Sequence, residues 1–261
     1  MPSSYAHLRF GQQALRRLPE PLGRRAMEHP PLCRVGFHGP DPLFYHSIFS
    51  RSALTELASR YHHIPGSELF TDLCERLRRS PQSGDFSCLM GLLTHYTLDS
   101  VCHPLICRLD AEGVCGHSEL ETEFDRFLLT LDGEPSPHTR DLGSHLSNDP
   151  GLCRCLARFY PPATAKELAK CLGNMTWASR ILSGRGLLPR SVLEKLIPVA
   201  GETARQQLMP REENPRAAGF DQPLLALYHQ ALERFPGLAC QLEACYRSAA
   251  PLGEDFAPIM G

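Results

Sequence analysis

His95, Asp99 and His103 stand four residues apart within 92–104, and His117, Glu121 and Asp125 repeat that spacing a few residues later. Residues four apart share a face of an α-helix. The spacing therefore predicts two successive helices, each projecting a column of nitrogen and oxygen donors. Imidazoles and carboxylates set into an apolar helix are costly to bury without a partner. A divalent metal is the simplest one, because His and Asp/Glu are, with Cys, the usual ligands of zinc. The bland alternative is a buried hydrogen-bonded network, which penalises every member left unsatisfied. His95, Asp99, His103, His117 and Glu121 would all need partners at once. Upstream, His7, Asp41 and the doublet His62-His63 offer further donors. Each has an ordinary reading too: a lone surface His for His7, and an N-cap ahead of Pro42 for Asp41.

The elements that must position these groups read as helices. Helical periodicity marks 8–18, 67–79, 86–109, 118–131, 142–159, 163–172, 174–182, 190–209 and 222–249. Another helix opens at Asp41-Pro42. Pro104 should bend or end the central helix, and Pro198 and Pro236-Gly237 should interrupt the last two. Alternating β-branched runs are nearly absent, so strands have little support. No repeat has a solenoid period. Trp177, the only tryptophan, reads as core, and His38 and His46 read as solvated loop histidines.

Composition bounds the rest. The chain has 261 residues with 42% hydrophobic side chains, enough for one sizeable core. A net charge of −2 gives no basic excess for duplex nucleic acid. The apolar runs are too short to span a bilayer. No charged-then-apolar leader opens the chain, and eleven cysteines lie scattered without paired spacing. Both favour a reduced, cytoplasmic setting. Cys153 and Cys155 are too few for a closed zinc site of their own.

The motif residues carry a resemblance. Gly91-Leu92-Leu93-Thr94-His95-Tyr96-Thr97-Leu98-Asp99, then His103-Pro104, then the stretch from His117 to Asp125, resemble the zinc-dependent phospholipase C family, all-α bacterial enzymes with a multi-zinc site. Tyr5-Ala6-His7-Leu8-Arg9-Phe10-Gly11, Gly39-Pro40-Asp41, and His62 followed by Phe70 are similar to its signal-less branch. The resemblance covers 1–130; beyond it, Asn214-Pro215 and the aromatic-rich last helix carry it.

The resemblance implies a single all-α domain over 1–261, with a metal cluster between helices. Residues 1–130 form the metal-ligand half and 131–261 the helical completion. It implies that His62, His95 and Asp99 hold one zinc, with Asp41 beside it as a ligand or as the base acting on water. His103, His117 and Glu121 hold a second. His7 and a bridging Asp99 hold a third, to which secreted members add their N-terminal amine. Here the start is Met1-Pro2, with Pro2 offering a secondary amine, so two to three Zn2+ ions are expected. Asp125 is expected to orient a ligating His. His62 is favoured over His63 by its offset to Phe70.

The activity so implied is that of a zinc-dependent phosphoric diester hydrolase. Its substrate would be a phospholipid or another small phosphodiester, and contact with a membrane surface is left open. Two rivals stand beside it. One is a nuclease- or nucleotidase-like zinc phosphoesterase, resembling the fungal single-strand-specific nucleases. That activity needs stacking aromatics near the metals, and Phe37, Phe44, Tyr45 and Tyr96 are the candidates. The other is a non-catalytic metal-stabilised helical module, in which the ion supplies only folding energy.

Overall fold

The chain is all-α. The computed structural model describes residues 4–47 and 50–261, and among these no strand occurs. The helices are α1 (Ser4–Arg16), α2 (Glu20–Ala26), α3 (Pro30–Gly36), α4 (Ala53–His63), α5 (Gly66–Arg79), α6 (Asp85–Ala111), α7 (His117–Leu131), α8 (Pro150–Ala157), α9 (Ala165–Leu182), α10 (Arg190–Leu196), α11 (Glu202–Gln206) and α12 (Asp221–Ser248). A 3-10 helix, Asp41–His46, lies between α3 and α4.

Helix α6 is the axis. Every residue from Asp85 to His103 is buried, as expected for a helix that is apolar on all sides. Helices α1, α2, α3, α7 and α12 pack around it. The closest approach is with α3, at two glycines. A Cβ on Gly91 would lie 2.3 Å from the Cys33 carbonyl oxygen and 2.9 Å from the Gly36 Cα. The glycine at the head of the motif is therefore required by backbone contact, and that contact sets where the chain after α3 enters the site.

Several local expectations are corrected. Helix α6 runs on through Pro104, and α12 runs on through Pro236. Each loses one backbone hydrogen bond, but buried residues on both sides hold the halves in line: Val101, Ile106 and Leu109 in α6, and Leu232, Phe235, Leu238 and Leu242 in α12. Residues 163–172 and 174–182 form one helix, α9, opened by a Thr164–Glu167 capping box. Asn174 does not break it, because its side-chain amide donates to the Tyr45 carbonyl at 2.8 Å instead of competing for its own backbone. Residues 142–149 are not helical. Pro150 disfavours helix in the residue before it, and Asp149 instead caps α8 by accepting from the Gly151 and Leu152 N–H groups. Helices α2, α3 and α4 carry no expectation from the sequence.

Asp41 is not an N-cap: it lies inside the 3-10 helix, whose cap residue is Pro40, with no side-chain cap bond. Trp177 is not core. It is 58% exposed, because α9 buries Leu168, Cys171, Leu172 and Met175 on its other side.

Replacing Gly91 by Ala forces α3 away from α6. An overpacked core contact of this kind is expected to lower unfolding free energy by about 1–3 kcal/mol, read from urea denaturation. An unchanged midpoint would contradict the contact.

Candidate metal centre

Four elements converge on the upper half of α6. Helix α1 brings His7, the 3-10 helix brings Asp41, the end of α4 brings His62, and the start of α7 brings His117 and Glu121. With His95, Asp99 and His103 of α6 they form a continuous chain of close contacts. His7 Nε2 lies 3.2 Å from Asp99 Oδ1, and His95 Nε2 lies 3.0 Å from Asp99 Oδ2. His62 Nε2 lies 3.1 Å from Asp41 Oδ1, and His95 Nδ1 lies 3.9 Å from Asp41 Oδ2. Glu121 Oε1 lies 3.4 Å from both His103 Nε2 and His117 Nε2. Asp99 Oδ1 joins the two ends, 3.7 Å from His103 Nε2.

The donor atoms fall into three groups, each with its members within 4.8 Å of one another: His7, His95 and Asp99; Asp41, His62 and His95; His103, His117 and Glu121. The third group is the one implied for a second zinc. In the other two, His95 is the shared residue, and Asp99 falls with His7 rather than with His62.

The residues fit a cation better than they fit one another. Both Asp41 oxygens, both His95 ring nitrogens, His7 Nδ1 and His103 Nδ1 are buried without a hydrogen bond. Within the cluster His103 Nε2 and Glu121 Oε1 share a hydrogen bond at 3.4 Å, and these six atoms are left over for a cation. Neither Lys nor Arg is among the described residues lining the cavity. Nitrogen and carboxylate oxygen in this mixture are what zinc accepts. His62 is also pre-oriented: its Nδ1–H donates to the Ala58 carbonyl at 2.8 Å, turning Nε2 toward Asp41. His63, by contrast, is exposed and bonds Ser59.

Electrostatics follow the same pairing. Burial pushes the Asp99 carboxyl up, but the rings of His103, His95 and His7 outweigh it and hold it well below the usual range. Burial likewise raises Glu121, and His117 and His103 reverse this, holding it low. Burial lowers His103, while Asp99 and Glu121 push it up to about 10.

Asp125 reaches the backbone rather than serving only as a partner for a ring. Its carboxylate accepts from the Tyr5 and Ala6 N–H groups at 3.0 and 2.8 Å, fixing the turn of α1 that carries His7. Met1 and Pro2, the expected further donor, lie outside the described residues.

The cluster opens on a cavity of about 390 Å³. Asp41, His62, Asp99, His103, His117 and Glu121 face it, with Phe44, Tyr45, Ser59, His63, Gln207 and Gly261 completing the wall. Gln207 and Gly261 come from far along the chain and have no local signal in the sequence. His38 is not a solvated loop residue. It is fully buried, and its Nε2 lies 2.6 Å from His145 Nε2. Burial, then the rings of His145, His7 and His95, keep His38 neutral, while burial and Arg34 lower His145 to about 4. Of the four expected aromatics, Phe44 and Tyr45 line the cavity. Tyr96 is buried in a stack on Phe256, and Phe37 is buried against Gly11.

A family model described as zinc dependent phospholipase C matches residues 6–161, a span that includes all eight of these residues. No curated protein and no solved structure matches the chain. With well over half of its length matched, the chain belongs to the zinc-dependent phospholipase C family.

Asp99→Ala and His117→Ala are each expected to lose at least one zinc ion per chain, by metal analysis of the purified protein. His63→Ala should keep the full complement. Unaltered zinc in both of the first two variants would contradict the assignment.

Proposed function

We propose that this member of the zinc-dependent phospholipase C family hydrolyses the phosphodiester of a glycerophospholipid, leaving diacylglycerol and a phosphorylated head group. What carries this reading is one arrangement: three carboxylates and five imidazoles around an open cavity, with six buried nitrogen and oxygen atoms that have no hydrogen bond. His7, His95, Asp99, Asp41, His62, His103, His117 and Glu121 would hold two to three zinc ions. When bound there, zinc supplies charge neutralisation to the phosphodiester oxygens and acidifies water toward neutral pH.

The protein's own groups do the rest. Asp41 is fully buried, touches the cavity, and has neither oxygen engaged in a hydrogen bond. It is the group placed to take the proton of the attacking water and aim it at phosphorus. Asp41 can also serve as a ligand, beside His62, whose ring is locked by the Ala58 carbonyl. Phe44, partly exposed, and Tyr45 line the remaining wall.

The rival readings fare less well. A nuclease-like site needs several faces for stacked bases, yet Tyr96 and Phe37 are committed to the core and Phe44 alone keeps an exposed ring. A purely structural zinc site closes its coordination sphere, whereas six of these donors face a cavity. We read 1–261 as one domain, since Gln207 and Gly261 complete the wall around donors from the first half. Among the described residues no helix is long and apolar enough to cross a membrane. We read the setting as cytoplasmic from eleven cysteines scattered without paired spacing.

Turnover of a chromogenic phosphodiester should clearly exceed that of the matching monoester. Asp41→Asn should lower kcat about a hundredfold or more, the usual worth of a positioned base, in protein still containing zinc. Zinc-loaded wild type inert toward every diester, or an Asp41→Asn enzyme at full rate, would overturn the reading.

A further inference from the structure

Among the described residues eleven large apolar side chains are exposed, and six of them, Trp177, Leu187, Leu188, Val192, Leu196 and Val199, fall between 177 and 199. Scattered exposed apolar residues are ordinary, but a concentration of this kind marks a surface with a partner. Trp177, Ile181, Leu187 and Leu188 line one groove of about 730 Å³ between the outer side of α9 and the turn before α10. Leu187 is fully exposed and Trp177 is more than half exposed. The inner side of α9 is packed into the core, so the groove stands on a rigid helix.

Charge selects the occupant. Arg180 and Arg185 line the same groove, and no acidic residue does. Over 173–200 there are four cations, Arg180, Arg185, Arg190 and Lys195, against the single acid Glu194, in a chain whose net charge is −2. Arg190 is committed to Glu194 and to backbone carbonyls. Arg180, Arg185 and Lys195 are exposed and pair with no acid among the described residues. An indole and leucines interleaved with unpaired guanidinium groups match the boundary of an anionic bilayer, where rings sit at head-group level and cations meet lipid phosphates.

We propose that the groove formed by Trp177, Leu187 and Leu188, with Arg180 and Arg185, docks the protein on an anionic phospholipid surface. The inference rests on the lipid-directed reading of the metal centre.

Trp177 is the only tryptophan, so intrinsic emission reports on this surface alone. The zinc-loaded protein is mixed with vesicles of phosphatidylcholine containing phosphatidylserine, and with vesicles of phosphatidylcholine alone. The expected result is co-sedimentation with the first, a blue shift of Trp177 emission, and reversal by high salt. Leu187→Asp/Leu188→Asp and Arg180→Glu/Arg185→Glu double variants should each weaken binding about tenfold or more. Neither pair should change turnover of a water-soluble short-chain diester, which also shows that the variants fold. Wild type left in the supernatant with unshifted emission would overturn the proposal, as would variants that bind normally. So would a shift that depends on protein concentration without vesicles, which assigns the face to a second copy. Lost vesicle binding with intact short-chain turnover removes the surface and leaves the metal centre standing. Intact vesicle binding with no diester hydrolysed removes the catalytic reading instead.

Discussion

Buried carboxylate and imidazole groups that have nothing to bond to are the constraint on which the rest of this molecule turns. Six such atoms belong to His7, Asp41, His95 and His103. At about 1–3 kcal/mol for a buried polar atom left without any partner, such atoms weigh on a domain stability of about 5–15 kcal/mol. A cation held among these groups would relieve that cost, and its binding would then couple to folding.

The scaffold is arranged to hold those groups in place. Helix α6 is buried along nearly its whole length, which fixes the column of His95, Asp99 and His103. The glycine contact between α3 and α6 sets the path of the chain into the 3-10 helix that carries Asp41. The Asp125 carboxylate ties α7 to the first turn of α1 beside His7. Asn214 and Arg216 bind Glu119 on α7, midway along the chain between the donors His117 and Glu121. Behind the cluster, neutral His38 and His145 stack on one another, a polar pair that adds no charge beside the donors. Of the rings in the cluster, His62 is held from behind, by the Ala58 carbonyl.

Much of the centre was legible because helical spacing and titratable residue types are local signals. His95, Asp99 and His103 could be placed on one face from their numbers alone, and His117 with Glu121 likewise. Asp41 was ambiguous by spacing. Its place inside the 3-10 helix and its two unbonded oxygens separate it from an ordinary cap. His62 and His63 differ only in orientation, and the turn of α4 decides which ring faces inward. Gln207, Gly261 and His145 reach the site or its backing through tertiary contacts across a hundred residues, a distance at which sequence pattern is silent. Trp177 was misread for a related reason: which side of α9 is covered depends on packing partners that periodicity does not name. Pro104 and Pro236 were overrated as breakers because burial on both sides outweighed one lost hydrogen bond.

The most direct test of the central claim is the zinc K-edge absorption spectrum of the purified protein. The account predicts a coordination shell of nitrogen and oxygen at about 2.0–2.2 Å and no sulfur, despite eleven free thiols, with Cys107 only 4.0 Å from His117. A sulfur shell near about 2.3 Å, or protein that takes up no zinc, would contradict it.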